Sequence, residues 1–160
     1  MLGYKQFIQF TLLASASIAA MAFPKGCEVS GFAFQDNYLV LNDNGNQTLF
    51  MIQNTGTGNL SLEHIETRAD VFMSPKLESK LNTHQYSTFS SDISNFHVKC
   101  SIVDETGTAT PVNCASYLSV CQYPRAQFPL SNKGNYWIST NKELTQVIQE
   151  TVKKGIYLKW

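Results

Sequence analysis

The four cysteines are the residues whose chemistry can be deduced most directly. Cys27, Cys100, Cys114 and Cys121 form an even set, and an even set in an oxidising compartment indicates disulfides. Structural zinc sites use paired C-x2-C spacing, and redox-active cysteines use C-x-x-C. Neither spacing occurs in this chain. We therefore predict two disulfides, with no metal, cofactor or redox chemistry at these positions.

Three pairings of the cysteines are possible, and a predicted hairpin favours one of them. Residues 96–103 have the composition of a strand, and the chain can turn near Gly107 and return. Cross-strand cysteines in register have the short Cβ separation that a disulfide needs. We therefore place Cys100 opposite Cys114. The predicted pairs are Cys100–Cys114 and Cys27–Cys121.

Signatures of catalysis are weak in this sequence. A serine hydrolase would show a G-x-S-x-G motif, which is absent. We interpret His64, His84 and His97 as ordinary side chains and not as bases. His64 with Glu66 and Asp70 could hold a surface metal, but no third histidine has a telling spacing. The spacing of the carboxylates singles out no pair for sugar hydrolysis. We expect a non-enzymatic interaction protein, with a periplasmic hydrolase or cell-wall-modifying enzyme as the alternative and a structural subunit of an envelope complex as the third possibility.

Two adjacent aromatic residues are candidates for binding. Tyr136 and Trp137 follow a turn of Gly and Asn residues, and neighbouring aromatic rings can form a platform for a glycan or a protein. Adjacent residues of a strand face opposite sides, however. The favoured interpretation is that one ring fills the core while the other covers a neighbouring strand.

The first 22 residues have the pattern of a secretory signal. An apolar stretch follows Lys5, and an A-x-A pattern ends at Ala22. The stretch is shorter than the roughly 20 apolar residues that a membrane span needs. We predict a cleavable signal peptide over residues 1–22 and a single mature domain over residues 23–160. The mature protein should be periplasmic or secreted and should not span a membrane.

The balance of charges in the chain argues against nucleic acid as a partner. The chain has 12 basic and 12 acidic residues, and no run of basic residues is present. Lys153 and Lys154 are interpreted as the end of a helix, where positive charge complements the helix dipole. We therefore expect a protein partner in the envelope or on the host side, and no nucleic acid.

Alternating apolar residues predict strands over most of the mature chain. The clearest hairpin joins residues 48–53 to 60–65 through a loop with two glycines. Residues 71–92 are predicted to be irregular with one edge strand. A helix is predicted over 142–154, with Asn141 as its N-cap and Gly155 at its end. These elements indicate a disulfide-stabilised, mainly β fold, an immunoglobulin-like antiparallel sandwich with one C-terminal helix. A last strand is expected over residues 156–160, and further strand signals lie at residues 28–34, 38–41 and 136–139.

Five segments of the sequence carry a resemblance to a known family: Gly26–Phe32, Phe34–Asn42, Asp70–Leu77, Cys121–Arg125 and Gly134–Trp137. They resemble the small secreted enhanced entry proteins of the EnhB type from intracellular bacterial pathogens. The resemblance covers the mature chain, including the four cysteines. It implies an exported envelope or secreted protein associated with host-cell entry. It implies no reaction, since none of the segments is a catalytic signature.

Overall fold

The computed structural model of the protein describes residues 23–42, 46–65 and 78–158. These residues form ten strands, two short 3-10 helices and one α-helix. The predicted signal peptide lies outside the described residues. The strands are β1 (Phe32–Gln35), β2 (Tyr38–Leu41), β3 (Thr48–Asn54), β4 (Leu60–Ile65), β5 (Glu78–Leu81), β6 (Tyr86–Ser91), β7 (Phe96–Val103), β8 (Ala109–Val112), β9 (Leu118–Tyr123) and β10 (Tyr136–Lys142). The 3-10 helices are Cys114–Ser116 and Leu130–Asn132, and the α-helix α1 is Leu144–Lys153.

The strands form two antiparallel sheets. The first has six strands in the order β1-β2-β7-β4-β5, with β8 also paired to β7. The second has four strands in the order β10-β6-β3-β9. The predicted mainly β fold with one C-terminal helix and two disulfides is confirmed. The finer assignment to the immunoglobulin-like sandwiches stays a prediction.

Two hydrophobic clusters join the layers. The first cluster brings Phe50 of β3 together with Leu62 of β4, so it lies between the two sheets. The second brings Met51 of β3 together with Val147 of α1. Because consecutive strand residues face opposite sides, α1 covers the outer face of the four-stranded sheet. This sheet is therefore covered on both faces, which explains why every residue of β3 and β6 is buried.

The predicted hairpin of residues 48–53 with 60–65 is wrong. Both strands exist, but β3 pairs with β6 and β9, whereas β4 pairs with β5 and β7. The loop between them crosses from one sheet to the other. The Asn54 side chain holds it by donating to the carbonyls of Gly58, at 2.8 Å, and Leu81, at 3.0 Å. Glycine-rich turn signals permit a hairpin or a crossing alike, so they could not distinguish the two.

The middle of the chain contains one more strand than we expect. β5 is the predicted edge strand, but β6 is a central strand that the sequence did not reveal. Its residues are mainly Ser and Thr, whose hydroxyls require partners when they are buried. Thr88 shares a hydrogen bond of 2.9 Å with Thr151 of α1, and Ser91 donates to Asn135 at 3.0 Å.

The helix begins two residues later than predicted, and Asn141 is not its N-cap. Lys142 still belongs to β10, and Glu143 occupies the N-cap position without a side-chain cap. Asn141 has a φ of 56°, and its side-chain oxygen accepts a hydrogen bond from the Asn82 N–H at 2.8 Å. Asn tolerates this left-handed conformation better than most residues. Asn is common both in turns and at helix N-caps, so the sequence alone did not distinguish these two roles for Asn141.

The two disulfides are the predicted pairs. Cys27 is bonded to Cys121, with 5.5 Å between their Cα atoms, and Cys100 is bonded to Cys114, with 5.3 Å. The predicted register was wrong by two residues, because Val112 lies directly opposite Cys100. Cys114 begins the first 3-10 helix, so its bridge is diagonal. Such bonds are typical of proteins outside the cytosol.

Candidate interaction surface

A short pairing of two segments brings the C-terminal end of the chain against the loop after β9. Gln127 and Tyr157 exchange two backbone hydrogen bonds of 2.9 Å each. Ile156 and Leu158 on either side of Tyr157 are 0% and 5% exposed and belong to the second cluster. Tyr157 faces the opposite way and is 60% exposed. This aromatic ring therefore occupies an outward position, where a polar residue would be expected.

The loop from Gln127 to Lys133 packs along the end of α1. The side-chain amide of Asn132 donates to the Lys154 carbonyl. Gly155 follows the helix with a φ of +82°, and a Cβ there would lie only 3.4 Å from Pro129. Leu130, at the start of the short 3-10 helix, is 86% exposed. The loop thus holds a leucine in water beside the helix end.

The last turn of α1 completes this surface. Val147 and Thr151 face the four-stranded sheet and are fully buried. Val152 is 49% exposed, and the lysines that follow it are exposed. We call this surface the apolar-basic patch. It consists of Leu130, Lys133, Val152, Lys153, Lys154 and Tyr157.

The patch lies in a region of positive charge within a neutral chain. Residues 124–135 and 151–158 contain Arg125, Lys133, Lys153 and Lys154 but no acidic residue, so all 12 acidic residues lie elsewhere. Glu150 is the acidic residue that precedes the patch on α1. It forms a salt bridge with Lys142 and accepts a hydrogen bond from Ser139. These hydrogen bonds lower the pKa of Glu150, and Lys153 contributes a smaller Coulombic effect in the same direction. Glu150 is thus paired with Lys142, and its interaction with Lys153 is the weaker of the two.

The predicted aromatic pair does not form one platform. Trp137 packs against Phe89, with 4.8 Å between ring centroids, beside the cluster between the sheets. Tyr136 packs against the second cluster, and its hydroxyl donates to the Asn132 carbonyl. The rings lie on opposite faces of β10, as the favoured interpretation expects. A binding role for either residue alone stays a prediction.

Two aromatic side chains carry buried polar atoms without a hydrogen-bond partner among the described residues. They are the Tyr123 hydroxyl and Trp137 Nε1. Tyr123 is 2% exposed, and burial raises its pKa to about 12. The phenol therefore stays neutral at physiological pH, which removes it as a candidate base.

The histidines and carboxylates are spread over the fold. The His64 ring stacks on Phe96, with 4.0 Å between centroids, and His97 Nδ1 lies 2.7 Å from the Asn95 carbonyl. Asp104 organises the turn after β7, where hydrogen bonds from Thr106 and Thr108 lower its pKa. Among the described residues, no three His, Cys, Asp or Glu side chains are grouped as a metal site. Residues 66 and 70, part of the metal site considered from the sequence, lie outside that part of the chain.

A concave surface occurs at the other end of the chain. Phe23, Cys27, Val29 and Phe32 line a cleft of about 390 Å³ beside β9, and Val29 is 70% exposed. Apart from Ser119, the side chains that line the cleft are apolar, and none of them is charged. We call it the N-terminal cleft.

Sequence reasoning missed the apolar-basic patch. It treated Lys153 and Lys154 as a helix end only. The alternation of Ile156, Tyr157 and Leu158 did carry a signal, because it places Tyr157 opposite to its two apolar neighbours. Leu130 gave no local signal. The hydrogen bond that brings its loop to the end of α1 joins Asn132 to Lys154, which are 22 residues apart.

Comparisons with known proteins gave no match to a protein-family model, to a curated protein or to a solved structure. Among the described residues, no helix is long and apolar enough to cross a membrane.

Proposed function

We propose that the protein is an exported, non-enzymatic interaction protein of the bacterial envelope or host interface. The observation that carries the proposal is the apolar-basic patch. Leu130, Val152 and Tyr157 are exposed on two segments that are hydrogen-bonded to each other, and the charged residues of these segments, 124–135 and 151–158, are all basic. Exposed apolar residues that are grouped and rimmed by polar ones mark interaction sites.

Features of the rest of the molecule agree with this proposal. An enzyme should bring at least two titratable groups with shifted pKa values into one cleft. The carboxylates with a lowered pKa, Asp104 and Glu150, instead stabilise a turn and a helix contact. The two disulfides and the signal-like residues 1–22 support export. The resemblance to enhanced entry proteins supports a role at the host interface, and that part of the proposal rests on the resemblance alone.

Site-specific crosslinking in living cells tests the proposal. A photo-reactive amino acid replaces Tyr157 in one strain and Glu105 in another. Glu105 is the matched control because it is also exposed but lies in the turn between β7 and β8. We expect a reproducible adduct from position 157, with a protein or with a membrane lipid, and none from position 105. Equal crosslinking at both positions, or none at either, would contradict an interaction surface at the patch.

A further inference from the structure

We propose that the apolar-basic patch docks the folded protein onto the surface of a bilayer with anionic headgroups. This inference rests on the proposed function and names the partner of the same site. Three properties of the patch carry it: the shape of its apolar part, the sign of its charge and the way in which it is held.

The apolar side chains project from the surface. Leu130, at the start of the short 3-10 helix, is 86% exposed, so its side chain is covered by few neighbours and does not lie in an enclosed groove. A folded protein partner would need a matching pocket for it. A bilayer accommodates a projecting leucine without one, because its acyl region is fluid. Tyr157 suits the boundary between the acyl region and the headgroups. Tyrosine has an apolar ring and a polar tip and is enriched at membrane interfaces.

The charge of the patch complements an anionic surface. Lys133, Lys153 and Lys154 lie on the same two segments as the apolar residues, and Arg125 precedes them on the first; residues 124–135 and 151–158 contain no acidic residue. Lysine can lay its apolar stem along the headgroup region while its ammonium group stays in water. Basic residues near an anionic leaflet each strengthen binding by about fivefold. An uncharged bilayer would offer only the apolar contribution of three side chains.

The patch is held in place before any partner arrives. The Gln127–Tyr157 pairing and the Asn132–Lys154 hydrogen bond fix the two segments to each other. The hydrogen bond between Thr88 and Thr151 fixes the end of α1 to β6. Binding therefore requires little ordering of the backbone, which would otherwise reduce affinity.

Sedimentation with lipid vesicles tests the inference. The mature protein, residues 23–160 with both disulfides, is mixed with vesicles of phosphatidylcholine alone or of phosphatidylcholine with phosphatidylglycerol. We expect binding to the second kind only, and weaker binding when salt screens the charges. Equal binding to both kinds, or no binding to either, would overturn the inference.

Matched variants locate the binding site. The Lys153→Gln/Lys154→Gln variant should bind anionic vesicles about 25-fold more weakly, at about fivefold for each lysine. The Lys25→Gln/Lys80→Gln variant removes the same charge from exposed positions outside the patch and should bind like the wild type. An equal loss in both variants would show that net charge alone drives binding and would overturn the docking geometry.

The apolar contribution is tested separately. Leu130→Ser/Tyr157→Ser should weaken vesicle binding at least tenfold, whereas Val29→Ser, at the exposed N-terminal cleft, should leave it unchanged. If vesicles fail to bind but the crosslink at position 157 captures a protein, the bilayer inference fails and the proposed function stands. A patch that binds an acidic protein segment would give that result.

Discussion

The two ends of the described chain pack against the same hydrophobic cluster but present different surfaces. At the N-terminal end, Phe23 and Cys27 join the cluster under α1, and a disulfide fastens them to β9. At the C-terminal end, Ile156 and Leu158 join it through packing and hydrogen bonds. The first end forms an uncharged cleft, and the second forms a projecting basic patch. The difference is that a covalent bond holds the N-terminal end, whereas packing and hydrogen bonds hold the C-terminal end, which carries the surface that we propose for binding.

The largest expected effect comes from breaking the covalent attachment. The Cys27→Ser/Cys121→Ser variant opens a link between residues 94 apart, which should lower the free energy of unfolding by about 4 to 5 kcal/mol. The Cys100→Ser/Cys114→Ser variant opens a link across a separation of 14 and should cost about 3 kcal/mol. Chemical denaturation of the oxidised proteins measures both. A larger loss from the shorter link would show that the N-terminal attachment is not the main covalent contribution.

Two neighbouring residues at the C-terminal end allow the stability contributed by core packing to be compared with that contributed by the exposed surface. Ile156 is fully buried in the second cluster, so Ile156→Ala should lower the free energy of unfolding by about 2 to 5 kcal/mol. Tyr157→Ser should change it by no more than about 0.5 kcal/mol, because the ring is exposed. Thermal unfolding of the two variants makes the comparison. Similar losses would show that Tyr157 also contributes to the core.

The smallest expected effect concerns the contact that holds α1 to β10. Hydrogen bonds from Lys142 and Ser139 lower the pKa of Glu150 in the folded protein. The folded pKa is below the unfolded one, so this contribution to stability is present above the unfolded pKa and is lost as pH falls through the folded value. The thermal midpoint of Glu150→Gln should therefore fall less on acidification than that of the wild type. Glu105→Gln is the control, and an identical acid response in all three proteins would contradict the account.

The sequence predicted those parts of the fold that depend on nearby residues. The hairpin around Gly107 and the Cys100–Cys114 bond lie within one local segment. β6 was missed because its buried hydroxyls find partners such as Thr151 and Asn135, which are 63 and 44 residues away. The predicted pairing of β3 with β4 is wrong for the same reason. The turn after Asn54 does not reveal which strands lie on either side of β3.

The candidate site depended even more on distant contacts. Its lysines and Tyr157 are visible in the sequence, and alternation shows that Tyr157 faces outward. The sequence does not show that Leu130 lies beside the end of α1, because the Asn132–Lys154 hydrogen bond is a tertiary contact. The overall composition does not reveal the positive charge of residues 124–135 and 151–158 either, because the chain as a whole has equal numbers of acidic and basic residues.

The most direct test of the contrast between the two ends is to measure stability and vesicle binding together for the Leu130→Ser/Tyr157→Ser variant. Both side chains are exposed, so we predict an unfolding midpoint close to that of the wild type and a loss of binding to anionic vesicles. A variant that unfolds at a clearly lower temperature, or that still binds like the wild type, would contradict the assignment of the C-terminal surface to binding.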